Sequence, residues 1–429
     1  MRSATEQLAA VDEANLVLDH VGQVNVFLIA GLFEPGGFVR TDGTPDIATM
    51  RAVLADRIAA LPSLCRVPVP VGRSHHWVEA KPDLERHIRL IGPFDGIDGI
   101  ERTCGQLMTV PLPLDRPLWE LLIGPDSRTG NVVFVLRIHH AIADGMAALA
   151  IAHALFERAA TVDRLAVSTP PASDPTMTPA SITTHGKHPL RMMRRAIFSV
   201  GRILKTVFGR GVNTTVLLGD RGPRRGVVFV DTDLRALKTR VRPFGMTVND
   251  ALLSATTAGY IAMLQAAGEP IPSVLPVSTP VALGRRGSSG NQVGVMIVRL
   301  PLAEPDPDAR LRLVADQTHL EKQRARDQGT LEFMRGPTGA RIMDRIGRRQ
   351  RLVAGFVTNV PGPASRMFLA GAPVTAVWPL AVLAGNVRLG VAASSYAGRL
   401  WCSIHFDEAS LPGVVFAQAM KEEFVRLTT

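Results

Sequence analysis

The sequence predicts an α/β protein made of two halves. Three observations carry that reading. Strand-like and helix-like stretches alternate on both sides of a central interruption. The run from Val132 to Ile138 is continuously apolar and rich in β-branched residues, as in a strand buried on both faces, and a helical pattern follows it at once. The interruption, STPPASDPTMTPASITTHGKHP at 168–189, has the Pro-, Ser- and Thr-rich composition of an exposed linker.

In chain order, Ile47, Met50, Val53, Leu54, Ile58 and Leu61 recur at three- and four-residue steps, which predicts a helix over 46–61 that stops at Pro62. His75 to Ala80 reads as a short strand and 99–110 as a second helix. Gly130 and Asn131 form a turn before the buried strand, and a helix over 146–158 comes after it. Alternation resumes near Val227, with a helix expected from Asn249 and Asp250 to about Leu264 and an N-capping role for that pair. The expected organisation is one half at 1–165, a linker at 166–225 and a second half at 226–429.

With 429 residues, 46% hydrophobic and 20% charged, the chain has the apolar material for a large core, which excludes disorder and small disulfide scaffolds. The net charge of +10 suggests an acidic partner. Its placement is uneven: Lys187 to Arg225 holds ten basic residues against one acid, Asp220, and leaves the rest nearly neutral. A nucleic-acid enzyme would more often spread its basic groups along a groove with interleaved aromatics, so no nucleic acid is expected here. Within the segment Leu190, Met193, Ile197, Val200, Leu204 and Val207 form an apolar stripe opposite Arg191, Arg194, Arg195, Arg202 and Lys205. Such a basic amphipathic helix either adsorbs to an anionic membrane or lipid-droplet surface or packs as a crossover between the halves.

Cys65, Cys104 and Cys402 lie far apart and form no CxxC pair, which argues against a disulfide framework or a metal site. Glu6, Asp12 and Glu13 interrupt the N-terminus before a signal peptide could form, and no stretch of 18 apolar residues occurs. The expected location is the cytoplasm, with peripheral attachment to a membrane or lipid droplet.

HHAIADG at 139–145 carries the chemistry. It leaves the buried strand with two histidines and enters a helix through Asp144 and Gly145. An imidazole at a strand end can take and return a proton near neutral pH. No third metal ligand stands nearby, so a zinc site is not expected. The bland alternative makes Asp144 a helix N-cap and the histidines satisfied core residues.

HHAIADG resembles the HHxxxDG signature of CoA-dependent acyltransferases. PLDRPLWE at 113–120, VNDALLSA at 248–255, GNQVGVMIVRLP at 290–301, TNVPGP at 358–363 and SYAGRL at 395–400 resemble, in order, the bacterial wax ester synthase/diacylglycerol acyltransferase family. The resemblance implies two chloramphenicol-acetyltransferase-like domains with mixed sheets, joined by a helical linker, and a tunnel between them. It implies direct transfer from acyl-CoA, with no permanently bound cofactor, to a long-chain alcohol or diacylglycerol. By the same carry-over His140 is the general base, His139 its supporting neighbour, and Asp144 with Gly145 holds the loop. Asn249 is an oxyanion donor, and Asp250 its partner in the family's ND pair. Pro117, Leu118 and Trp119 match the family's PLW segment, with Trp119 read as packing near a substrate channel. Asn359, with Pro361, Gly362 and Pro363, reads as a rigid turn at the interface between the halves. QVNVFLIAGLFE at 23–34 departs from the family's more usual Met-His-Val segment, which bears on acceptor specificity. Two other readings are an acyltransferase for a polyketide, glycolipid or carrier-bound substrate, and a non-catalytic lipid-binding relative.

Overall fold

The computed structural model describes residues 6–19, 23–72, 74–143, 145–158, 211–282, 293–328, 341 and 344–429; the amphipathic stretch at 190–207 lies outside them. The first part of the chain forms β1 (Glu6–Gln7), α1 (Ala10–Leu18), β2 (Val26–Phe33), α2 (Ile47–Ala59), β3 (Arg66–Val71) and β4 (Ser74–Glu79). It continues through α3 (Leu84–His87), β5 (Ile88–Leu90), α4 (Gly96–Leu107), β6 (Trp119–Pro125), β7 (Val132–His139), α5 (Gly145–Leu155) and β8 (Glu157–Arg158). Beyond the linker come β9 (Arg225–Asp233), α6 (Leu234–Val241), α7 (Val248–Ala266), β10 (Leu275–Ala282), β11 (Val293–Leu300) and α8 (Pro307–Gln328). The chain ends in β12 (Gly355–Pro361), β13 (Met367–Leu369), β14 (Ala372–Leu380), β15 (Leu389–Tyr396), β16 (Arg399–Asp407) and α9 (Gly413–Thr428).

Local chemistry sets several boundaries. α2 opens where the Asp46 carboxylate accepts the Thr49 N–H at 3.1 Å, one residue ahead of the apolar periodicity. α4 starts three residues before its expected position, because Gly96 takes φ +63° and donates its N–H to the buried Asp126 carboxylate at 2.9 Å. The helix expected to reach Arg158 stops at Leu155; Glu157 and Arg158 instead pair with β13.

Two sheets organise the molecule. One has seven strands in the order β5-β6-β7-β2-β14-β13-β8, with β5 and β6 parallel and the other pairs antiparallel. The other has six strands in the order β11-β10-β12-β15-β16-β9, parallel at β10–β12 and β12–β15. Both are therefore mixed. A small sheet, β1-β4-β3, lies apart from them. α7 is buried almost all round and packs against α9, with the Tyr260 and Phe416 rings edge to face at 5.1 Å.

The layers are not drawn from separate stretches of chain. β13 and β14, late in the sequence, belong to the first sheet, and β14 pairs with β2 from Val374 opposite Phe33 to Leu380 opposite Leu28. Trp378 on β14 stacks on Phe229 of β9 at 4.6 Å and meets Trp401 of β16 edge to face at 5.3 Å. α4 crosses β9 so closely that a Cβ at Gly105 would sit 2.2 Å from the Arg225 carbonyl oxygen. Part of the basic segment is also committed to the fold. Arg225 and Arg224 face Asp407 and Glu408 at 3.5 and 3.0 Å, and Arg221 donates to the Gly385 and Val387 carbonyls at 2.7 and 3.1 Å.

Ser403 and His405, both on β16, reach the end of β14: the Ser403 hydroxyl donates to the Pro379 carbonyl, and His405 Nδ1 lies 2.9 Å from the Ala381 carbonyl. Because a carbonyl can only accept, Nδ1 carries the proton. Burial pushes the His405 imidazole down to about 4, and the Arg225 and Arg221 charges act in the same direction. The unfolded chain takes up this proton near pH ~6.5, whereas the folded chain holds it off to about 4. The stabilisation is therefore full above pH ~6.5 and is lost as pH falls towards 4. In urea unfolding at pH 7 and pH 4, the stability advantage of the wild type over His405→Leu is expected to shrink by about 3 kcal/mol on acidification.

Candidate active site

β7 is buried along its whole length, and its last residue, His139, has no exposed surface. His139 Nδ1 accepts the Ala141 N–H at 2.9 Å, so that nitrogen keeps its lone pair. The ring proton then sits on Nε2 and is donated to the Asp19 carboxylate at 3.2 Å. The other Asp19 oxygen accepts the Asn25 N–H at 2.8 Å. With both nitrogens occupied, His139 fixes the loop and is not placed to exchange protons with a substrate.

His140 leaves the strand and is half-buried. Its main chain is held on both sides: the N–H donates to the Asn25 carbonyl at 3.0 Å, and the carbonyl accepts from Asn15 Nδ2 at 3.3 Å. Asn25 Nδ2 donates to the Asn15 carbonyl at 2.9 Å, which closes the network. The His140 ring lies against Phe27, centroids 3.7 Å apart and tilted by 37°. A backbone this restrained gives the imidazole a fixed origin, which positioned proton transfer requires. Asp144 lies outside the described residues, and Gly145 opens α5.

The PLW segment locks the same strand end. The Leu118 carbonyl accepts the His139 N–H at 3.0 Å, and the Pro117 carbonyl accepts the Trp119 N–H at 2.9 Å. Trp119 is 2% exposed and donates Nε1–H to the Leu64 carbonyl at 2.9 Å, so it packs in the core.

The structure divides the Asn249–Asp250 pair. The N-cap of α7 is Thr247, whose hydroxyl accepts the Asp250 N–H, while the Asp250 carboxylate accepts the Thr247 N–H at 2.7 Å and the Thr318 hydroxyl at 2.5 Å. The expected capping by the pair thus rests on Asp250 with Thr247. Asn249 is not the cap. Its Nδ2 is buried and has no hydrogen-bond partner among the described residues, an unmet donor that costs free energy until something accepts from it.

Asn359 is not in a turn. It lies within β12 opposite Ala393 of β15, and the chain turns only beyond Pro361. Gly362 serves close approach rather than positive φ: a Cβ there would stand 2.3 Å from the Ser395 carbonyl oxygen. The three cysteines offer no activated thiol, since burial raises the pKa of each, most strongly at Cys104 and Cys402. Among the described residues no cluster of three His, Cys, Asp or Glu side chains could hold a metal ion.

Asp19, Asn15 and Asn25 were invisible to motif reading, although Asn25 stands inside the departing QVNVFLIAGLFE segment. The model of the wax ester synthase/diacylglycerol acyltransferase catalytic domain matches residues 8–252, and that of the WS/DGAT C-terminal domain matches 289–428. The chain belongs to the WS/DGAT family. WS/DGAT membership makes it an acyltransferase. The Mycobacterium tuberculosis protein named probable diacylglycerol O-acyltransferase tgs1 is 27% identical over 360 residues, 77% of this chain and 76% of that one. The wax ester synthase/diacylglycerol acyltransferase of Marinobacter aquaeolei VT8 superposes with a TM-score of 0.71 at 16% identity, covering 98% of each chain. The starter condensation domain of rhizomide synthetase, solved with C8-CoA, superposes with a TM-score of 0.58 at 14% identity over 99% of this chain and 94% of that one. Both likenesses confirm the fold. No helix among the described residues is long and apolar enough to cross a membrane.

Asp19→Ala leaves the buried His139 Nε2–H without its acceptor and is expected to cost about 1–3 kcal/mol. Chemical denaturation checks this, and Asp19→Asn, which keeps a side-chain acceptor, should recover part of the loss.

Proposed function

We propose that this WS/DGAT protein moves a long-chain acyl group from acyl-CoA directly to the hydroxyl of a long-chain alcohol or diacylglycerol, with His140 as general base. The observation that carries this reading is the contrast between neighbouring histidines. His139 is fully buried and bound to Asp19 and the Ala141 N–H, whereas His140 is half-buried and carried on a backbone restrained by Asn25 and Asn15. The acceptor oxygen attacks the thioester carbonyl as His140 takes its proton. The tetrahedral oxyanion accepts a hydrogen bond from Asn249 Nδ2, a donor whose burial without a partner supports this role. Collapse expels the CoA thiolate, which recovers the proton from His140, so the base is regenerated and the products are ester and free CoA. The absence of an activated thiol among the three cysteines fits transfer without an acyl-enzyme.

The substrate assignment draws on the relatives named above, including the condensation domain solved with C8-CoA. Peripheral attachment to an anionic lipid surface would rely on Lys187 to Arg210, because Arg221, Arg224 and Arg225 are engaged within the fold.

His140→Ala is expected to lower acceptor-dependent CoA release by about 10²- to 10⁴-fold while leaving the circular dichroism spectrum unchanged; unaltered turnover would refute the assignment. Asn249→Ala should lower kcat by about 10²- to 10³-fold with little change in KM, because its bond forms only as the oxyanion develops. A thiol-reactive dye follows CoA, and thin-layer chromatography of radiolabelled products identifies the acceptor.

A further inference from the structure

Away from His140, three chain segments meet around a cavity of about 280 Å³ lined by Asn213, Thr214, Thr215, Arg349, Arg351 and Asn386, among others. The walls are joined to one another. The Val212 N–H donates to the Arg351 carbonyl at 2.5 Å and the Gly219 N–H to the Asn386 carbonyl at 2.9 Å. The Asn386 amide exchanges two hydrogen bonds with Gln350, at 2.8 and 2.9 Å. The cavity is therefore preformed.

Its chemistry is one-sided. No lining residue is acidic. Neighbouring arginines have partners, Arg348 on Asp344 at 2.9 Å and Arg388 on Asp407 at 3.9 Å. Arg349 and Arg351, both exposed, have no carboxylate within ion-pair distance among the described residues. The backbone N–H groups of Asn213, Thr214 and Thr215 likewise make no hydrogen bond among the described residues. A small cavity lined by residues that bring two cations, two hydroxyls and three N–H groups without protein acceptors among the described residues is complementary to a phosphate, whose oxygens only accept. The volume lies just below the usual range for ligand pockets, enough for a headgroup or the phosphates of a nucleotide and too little for a long acyl chain.

We propose that this cavity is a phosphate-binding site, taking either the phosphates of the CoA donor or a phospholipid headgroup. The site is tied to the catalytic loop. Gly385, beside Asn386, donates its N–H to Gln23 Oε1 at 2.8 Å, and two residues further on the Asn25 carbonyl holds the His140 N–H. The donor assignment rests on the acyl-CoA reading above; phosphate binding itself does not.

The test uses the full chain, the double variant Arg349→Glu with Arg351→Glu, and a control of equal charge change at two exposed residues, Arg235→Glu with Arg242→Glu. Isothermal titration with inorganic pyrophosphate should show binding that falls about tenfold or more in the cavity variant and stays unchanged in the control. Equal losses in both variants, or no loss in the cavity variant, overturn the proposal. Given the specific loss, a raised KM for acyl-CoA at unchanged kcat, with weakened 3′,5′-ADP binding, assigns the site to the donor. Reduced co-sedimentation with phosphatidylcholine vesicles containing phosphatidic acid, at unchanged KM, assigns it to a headgroup. Pyrophosphate binding needs no turnover, so it persists in His140→Ala even if the catalytic reading fails.

Discussion

The antiparallel ladder between β14 and β2 is the constraint on which the rest of the molecule depends. It brings residues 372–380 into a sheet otherwise built mostly from the first 140 residues, and it sets β14 where its other face meets β9 and β16. Main-chain hydrogen bonding in one layer and aromatic stacking against the other therefore act through one strand. Because side chains alternate along a strand, the register that places Trp378 opposite Ala30 also fixes Pro379 and Ala381 as acceptors for Ser403 and His405. A slip of one residue would turn the tryptophan away and unmake the clasp together.

The end of β7 shows how a site gains fixed geometry from groups that do no chemistry. Two adjacent histidines share a residue type and differ in burial and in the contacts that hold them. One is consumed in holding the loop, through a tautomer set by an amide N–H that can only donate. The other is left with a fixed backbone and a ring against Phe27. The PLW segment grips from the opposite side through the Leu118 carbonyl, so the strand end is held by main-chain atoms of two neighbours. In the proposed mechanism such a lock limits the reorganisation needed as charge moves.

What was legible in the sequence was local. The period of Ile47, Met50, Leu54 and Ile58 gave α2, and the unbroken apolar run gave β7, because burial of one stripe or of both faces leaves its mark on consecutive residues. HHAIADG was legible because its residues are contiguous. Asn15 could not be found in that way: it is 125 residues from the carbonyl it supports, and an asparagine near the N-terminus carries no pattern of its own. The same limit hid the joining of β14 to β2, since strand partners are chosen across the whole chain. Of the two readings left open for Lys187 to Arg225, surface adsorption or packing within the fold, its C-terminal end follows the second: Arg221, Arg224 and Arg225 find carbonyl and carboxylate partners more than 160 residues away. For Asn359 the Pro-Gly-Pro sequence suggested a turn, but strand pairing extends through Pro361.

The position of β14 also matters for how the chain is made. During synthesis β2 and β7 emerge early, yet the neighbour that closes the far edge of β2 is encoded more than 330 residues later. Until then the nascent protein exposes an unpaired edge strand of sequence VFLIAGLF. The first sheet is thus completed only once β14 has been made, and its two parts cannot serve as interchangeable cassettes in recombination between relatives unless residues 367–380 travel with the N-terminal partner.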